Sequence, residues 1–407
     1  MNGKERFISE LKDKVLPLIK KEDRIVVVHH NDADGIASGA ILKIALERFG
    51  SKVTTLAIER VHPLIVERIV DKFDSKIIFA DLGSRAAPQI SEINKKRRTI
   101  IIIDHHIPSK IEDEKVFNFS TEFFDISGDK DISGAGACYL FANLLGDNSD
   151  LAYIGVIGAI GDSHERFGKL LSVNREIMEV ARSLNDIDYE TVDGKEVYYL
   201  TKFGGKVPLK KFAKELTVLG AVGFYLDGVK VGIEAIENGP SSKMDEKLKE
   251  LNEIKNQAFN KVLEKLEQGK LLKKTKYIQW FDVEDQFKPM GVKVIGEFCM
   301  EIRNREFLDK DKYITGFQHM DNYIPGLGEF NWKITKASMR VSDKLEEKII
   351  NKGMPGLSWL VPEAAKLVNG SIDACHDYAA ATTVNIGDEE ELIRAMDQKV
   401  EEFLKNS

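Results

Sequence analysis

Asp104, His105 and His106 follow directly on Ile100, Ile101, Ile102 and Ile103. Four β-branched apolar residues ending in one acid and two imidazoles describe a buried strand that delivers polar groups to a sheet edge. Two earlier stretches repeat the pattern. Val26, Val27 and Val28 lead into His29, His30, Asn31, Asp32 and Asp34, and the apolar run 77–80 leads into Asp81. A fourth acid, Asp162, follows the apolar run 154–161. Carboxylates mixed with imidazoles suit hard divalent cations, Mn²⁺ tolerating the imidazole better than Mg²⁺. Four acidic positions of this kind read as a two-metal centre.

Taken singly, each position has a plainer reading: Asp81 as a strand end, Asp162 as a helix cap, Asp32 to Gly35 as a turn. A calcium loop is excluded there, because the downstream acids it needs are absent. Two ions about 3.5–4 Å apart need a bridging carboxylate and several terminal ligands. Asp32 and Asp34 would point oppositely in an extended loop, so a bend at Gly35 is expected. Gly35 is also expected to open a helix whose N–H groups favour an anion. Either His29 or His30 could supply the imidazole beside Asp32.

The elements that must position these residues alternate. Strands are expected over 24–28, 53–57, 77–80 and 99–103, with helices over 1–20, 35–49 and 63–70. That alternation predicts an α/β fold, a mostly parallel sheet with helices on both faces. Ser133 is placed to cap a helix over 134–145, and 151–160 is apolar on all sides, hence a buried helix. Residues 197–201 and 218–225 are apolar segments available to cover this domain. Gly239, Pro240, Ser241 and Ser242 mark a boundary. Beyond it, Leu248, Leu251, Ile254, Phe259, Val262 and Leu266 form an apolar stripe on a charged connecting helix. Short strands follow over 277–281, 292–295, 313–317 and 332–338, then helices over 362–367 and 389–404. The reading is a catalytic domain over 1–240, a connecting helix over 241–272 and a second, smaller α/β domain over 273–407.

Composition agrees with a globular chain. It has 407 residues, 43% hydrophobic and 31% charged, with a net charge of −7. No apolar run approaches the roughly 20 residues that span a bilayer, and 1–20 carries charge throughout, so a cytoplasmic protein with no membrane partner is expected. Cys138, Cys299 and Cys375 are scattered, which excludes a zinc ribbon or a disulfide framework.

The motifs Asp32-x-Asp34-Gly35, Asp81, Asp104-His105-His106 and Asp162 resemble, in order and spacing, those of the DHH phosphoesterases. The form of the first motif is most similar to archaeal RecJ-type nucleases. The resemblance runs over nearly the whole chain and implies two divalent cations, Mn²⁺ preferred with Mg²⁺ as the alternative. It implies His30, Asp32 and Asp81 around one ion, and Asp34, His105 and Asp162 around the other, with Asp81 bridging. His106 would face the scissile phosphate and Asp104 would orient its neighbours. Water activated between the ions would attack phosphorus in line, with His106 and Arg340 stabilising the growing charge.

The second domain carries a partial match. Ser338-Met339-Arg340 resembles a Ser-x-Arg segment that grips substrate phosphate. The stretch 373–381 keeps His376 but lacks the glycines of the family's Gly-Gly-His loop, which removes a close backbone approach to ligand. The implied activity is an exonuclease releasing nucleoside monophosphates from single-stranded DNA or RNA threaded between the domains. Short oligonucleotides, phosphorylated nucleotides or cyclic dinucleotides are the alternative substrates. A scaffold subunit that binds the GINS replication complex is the non-enzymatic alternative, and the retained acids and histidines speak against it. The basic stretches 95–98 and 270–276 are read as solvated faces, and Phe317, Tyr323, Phe330 and Trp332 mostly as core rather than base-stacking surfaces.

Overall fold

The isoleucine run fixes the centre of the first sheet. Ile100, Ile101, Ile102 and Ile103 are completely buried, and Ile25 to Val28 nearly so, as strands covered on both faces require. The computed structural model describes residues 1–406, apart from the side chains of Asp373, Ala374 and Asn406. In chain order the elements begin with α1 (Gly3–Lys14), β1 (Arg24–His30), α2 (Ala33–Phe49), β2 (Lys52–Ile58) and α3 (Pro63–Lys72). Next come β3 (Lys76–Ala80), α4 (Ala87–Asn94), β4 (Ile100–Asp104) and β5 (Val116–Ser120). The five strands form one sheet in the order β2-β1-β3-β4-β5, every neighbour parallel. All carboxyl ends therefore share one edge, the edge that receives ligands in open α/β sheets.

Two buried helices close on that edge, α5 (Gly134–Leu145) and α6 (Ala152–Gly161). Ser133 caps α5 by accepting the N–H of Gly136 at 3.2 Å. The remaining first-unit elements are α7 (Ser172–Ser183), a three-stranded antiparallel sheet of β6 (Ile187–Val192), β7 (Lys195–Leu200) and β8 (Val207–Pro208), then α8 (Leu209–Ala221) and α9 (Gly228–Asn238). The apolar stretches at 197–201 and 218–225 thus divide between a strand and a helix end. Helix α10 (Ser242–Glu267) follows. The chain divides into two compact units, one of Met1–Lys249 with Ile324–Gly328, the other of Glu250–Tyr323 with Glu329–Ser407.

The second unit holds β9 (Lys273–Lys274), β10 (Ile278–Asp282), α11 (Val294–Ile302) and β11 (Tyr313–His319). A short ribbon, β12 (Tyr323–Ile324) with β13 (Gly328–Glu329), precedes β14 (Ile334–Arg340), α12 (Asp343–Ile350) and α13 (Leu357–Leu367). A hairpin, β15 (Ser371–Cys375) with β16 (Ala379–Asn385), leads to α14 (Glu389–Asn406). Its sheet runs β15-β16-β14-β11-β10-β9. Tyr313, Phe317, Met339, Leu357, Leu360 and Met396 build the core against it.

Three expectations fail locally. Residues 292–295 are not a strand: Val294, Ile295, Phe298, Cys299 and Ile302 are buried with the helical period and form α11. Helix α13 begins five residues before Pro362, because Leu357, Leu360, Val361, Ala364 and Ala365 all bury on one face despite the missing proline N–H. Helix α2 begins at Ala33, with Asp32 as its cap, so Gly35 lies inside its first turn rather than opening it.

Candidate metal centre

The carboxyl ends of β1 and β4, the turn after β3, the start of α2 and the end of α6 bring six side chains together. β1 delivers the first imidazole. Successive strand residues face opposite sides, and here His29 is fully buried, its ring so close to α2 that a Cβ on Gly39 would lie 2.6 Å from it. Burial lowers the His29 pKa to about 4, keeping the ring neutral, and its Nδ1 is 2.7 Å from the His30 carbonyl oxygen. His29 is a core residue. His30 is the one that faces the acids, its Nδ1 2.8 Å from Asp32 Oδ2 and 3.7 Å from Asp81 Oδ2.

Asp32 uses its other oxygen, Oδ1, to accept the N–H of Gly35 at 3.0 Å. Asp34, in the first turn of α2, reaches the N-terminus of α5 a hundred residues on. Its Oδ2 accepts the N–H of Gly134 at 2.6 Å and its Oδ1 that of Ala135 at 2.9 Å, where the helix dipole favours an anion. Two glycines make room. A Cβ on Gly158 of α6 would stand 2.1 Å from Asp34 Oδ1, and one on Gly134 2.4 Å from Asp81 Oδ1. Burial, reinforced by the charges of Asp81 and Asp162, nevertheless pushes the Asp34 carboxyl well above its usual range.

Asp81 follows β3 in the left-handed region, φ 64°, a conformation that costs an aspartate less than most residues. The turn sends its two oxygens to different partners, Oδ2 toward His30 and Oδ1 to 3.2 Å from His105 Nε2. His105 is buried, and its Nδ1 lies 2.9 Å from the Gly128 carbonyl oxygen. That carbonyl can only accept, so Nδ1 carries the hydrogen and Nε2 of the neutral ring presents a lone pair. This lone pair faces carboxylate oxygens of Asp81, of Asp162 at 3.3 Å and of Asp34 at 3.8 Å. His105 Nε2 and Asp81 Oδ1 are both buried without a hydrogen-bond partner. Lone pairs turned toward one another repel unless a proton or a cation stands between them. Burial opposes protonation of His105, but the Asp81 contact and the charges of Asp162, Asp81 and Asp34 outweigh it and push its pKa well up. A divalent cation would answer the same field, and the oxygen and nitrogen donors fit one.

Asp162 caps the end of α6, and burial raises its pKa to about 6 against the pull of His105. Asp104 is arranged differently. Its Oδ2 accepts the N–H of Ser84 at 2.9 Å, and its Oδ1 accepts the His105 N–H at 2.8 Å and approaches His106 Nδ1 at 2.7 Å. Burial would raise this carboxyl, but His106 and the other donors hold it below the usual range. One of its oxygens also lies within 4.8 Å of ligand-type atoms of Asp81, His105 and His106. His106 is half exposed and turns its free ring nitrogen away from Asp104.

Sequence reasoning missed His164. It is buried, and one of its ring nitrogens lies within 4.8 Å of ligand atoms of His105 and Asp162. Its Nδ1 is 2.7 Å from Asn174 Nδ2, and burial lowers its pKa to about 4. Its position two residues after Asp162 was the available signal.

In the second unit, Ser338 and Arg340 alternate on β14 and share the face against α11, where a Cβ on Gly296 would lie 2.7 Å from Arg340 Nη2 and 3.3 Å from Ser338 Oγ. Arg340 donates from Nη1 to the Met339 carbonyl, and its Nε is buried without a partner. His376 is exposed in the β15–β16 turn, its N–H bonded to Ala379, the residue opposite Arg340 in the β14–β16 ladder. Of the loop around it, the side chains of Asp373 and Ala374 lie outside the described residues. Lys96, Arg97 and Arg98 pair with Glu114, Asp71 and Asp74, and Lys273 and Lys276 with Glu390 and Glu401. Phe317, Phe330 and Trp332 are buried, whereas Tyr323 is exposed.

Residues 24–156 match the family described as "DHH family, N-terminal domain". An uncharacterized protein of Methanocaldococcus jannaschii is 32% identical over 214 residues, 49% of this chain and 47% of its own length. A protein named as a prophage-derived single-strand DNA-specific exonuclease of Bacillus subtilis is 23% identical over 168 residues, 38% of this chain and 29% of its own length. The chain therefore spans less than half the length of these curated relatives. The fold is similar to that of exonuclease RecJ bound to manganese, with a TM-score of 0.59 at 15% identity, covering 98% of this chain and 94% of that one. Among the described residues no helix is long and apolar enough to cross a membrane.

Proposed function

Because residues 24–156 match the DHH-family N-terminal domain, we propose that this chain is a divalent-cation-dependent exonuclease hydrolysing single-stranded DNA or RNA. The observation that carries the reading is Asp81, which turns one carboxylate oxygen to His30 and the other to His105. Such a residue can serve two cations at once, one held with His30 and Asp32, the other with Asp34, His105 and Asp162. The similarity to a manganese-bound exonuclease fold supports Mn²⁺, with Mg²⁺ as the alternative. Bound cations would supply Lewis-acid polarisation of the phosphoryl oxygens and an acidified water near neutral pH.

The residues themselves do the rest. The Gly128 carbonyl fixes the His105 ring, so that it presents Nε2 inward, and Asp104 Oδ1 fixes the His106 ring through its Nδ1. The Asp104 charge raises the His106 pKa against the lowering by burial, so His106 is placed to donate a proton or hydrogen bond to a phosphoryl oxygen. Ser338, Arg340 and His376 would hold substrate phosphate, Arg340 through its fork of donors. The test is digestion of single-stranded DNA and RNA, labelled at either end, beside a dinucleotide, in Mn²⁺. Stepwise shortening, lost in Asp81→Asn, is expected. Cleavage of the dinucleotide alone would move the protein to the small-nucleotide phosphodiesterases, and no cleavage at all would overturn the reading.

A further inference from the structure

The second unit contains another set of ligand-type side chains. Asp282 is the last residue of β10, His319 the last of its parallel neighbour β11, and Glu389 the first of α14. Each offers a carboxylate oxygen or ring nitrogen within 4.8 Å of the other two. Local hydrogen bonds use up one side of each acid. Asp282 Oδ1 accepts the N–H of Glu284 at 2.7 Å, and Glu389 Oε2 accepts that of Gly387 at 2.8 Å. The other sides are left over. Glu389 is only 9% exposed, and its Oε1 is buried with no hydrogen-bond partner.

His319 Nε2 stands 4.0 Å from Asp282 Oδ2, and its Nδ1 stands 3.5 Å from Asp285 Oδ1. The first distance is too long for a hydrogen bond. It is within the span of two ligands on one ion, since bonds of about 2.0–2.2 Å to a shared cation keep donors within roughly 4.4 Å. A buried carboxylate oxygen without a donor is costly unless something positive meets it. Of the nearby cations, Lys288 lies 3.2 Å from Asp285 Oδ1 and 3.5 Å from Asp321 Oδ2, and Lys273, which lines the same cavity as Asp282 and Glu389, lies 3.0 Å from Glu390 Oε1.

We propose that Asp282, His319 and Glu389 form a separate binding site for a first-row divalent transition ion, Mn²⁺ or Zn²⁺. One imidazole with two carboxylates suits these ions better than Ca²⁺ or Mg²⁺, which favour all-oxygen sets. An ion there ties the start of α14 to the ends of β10 and β11. Its role is structural, and it is independent of the Asp81 centre.

The experiment counts ions bound by the full chain after equilibrium dialysis against Mn²⁺ and against Zn²⁺. Glu389→Gln, which keeps the size and the Oε2 acceptor, and His319→Ala are each expected to bind one ion per chain fewer than the unmutated protein. The same loss of one is expected when Glu389→Gln is added to Asp81→Asn. A variant that binds as many ions as its own parent would overturn the site. A second measurement needs no variant: the His319 ring resonances should broaden on adding Mn²⁺, and ring signals that stay sharp at saturating Mn²⁺ would overturn it equally.

Discussion

His29 and His30 are neighbours on β1 whose rings serve opposite purposes, one packed against Gly39 of α2 and the other 2.8 Å from Asp32. Strand alternation makes the pair separable by mutation. His30→Ala is expected to weaken Mn²⁺ binding at least tenfold with little change in metal-free stability. His29→Ala should do the reverse, costing on the order of 2 kcal/mol of stability through an unfilled cavity. Isothermal titration with Mn²⁺ beside chemical denaturation reads both. Equal metal affinity in the two variants would refute the division.

Asp104 spends its oxygens on Ser84, His105 and His106, although one of them also lies within 4.8 Å of ligand-type atoms of Asp81, His105 and His106. Asp104→Asn should therefore keep the Mn²⁺ count and lower kcat by about 10- to 100-fold, the usual size for a group acting through its neighbours. Loss of an ion in this variant would show Asp104 to be a ligand instead.

Gly158 lies where any side chain would meet Asp34, 2.1 Å from its Oδ1, and Ala135, 2.4 Å from its Cβ. Gly158→Ala must push α6 away from α2 and α5. Overpacking of this kind costs about 1–3 kcal/mol, and here it also disturbs the carboxylate that holds Gly134 and Ala135. Thermal melts should show the loss, together with weaker Mn²⁺ binding. A variant as stable as the parent would mean that the helices yield freely.

Metal affinity should rise with pH. Asp162, raised to about 6 by burial, and Asp34, raised by burial and by Asp81, retain protons that ordinary carboxyls have released. In the metal-free protein a carboxyl raised in this way contributes stability at low pH that is lost as pH rises through about 6. A cation must displace these protons, so its binding releases them. The rise in Tm produced by Mn²⁺ should be small at pH 5 and grow through pH 7. A rise independent of pH over that range would contradict the proton count.

How much of this was legible follows from where the information sits. The acids after 77–80 and 100–103 were legible because a fully buried parallel strand must be continuously apolar, and its polar terminus then stands out. The fifth strand, Val116–Ser120, went unread because Asn118 interrupts its apolar run and its place is set by pairing with β4. Choosing between His29 and His30 needed the face of β1 that α2 covers, a long-range fact. The capping of α5 by Asp34 spans a hundred residues and leaves no local mark. Residues 292–295 misled because four residues cannot separate a strand from a helix, whereas the period out to Ile302 can.

The most direct measurement is an anomalous-scattering map from crystals equilibrated with Mn²⁺. Two peaks about 3.5–4 Å apart are expected, one beside His30 and Asp32, the other beside Asp34, His105 and Asp162, with Asp81 between them. A single peak, or two peaks that Asp81 does not touch, would contradict this arrangement.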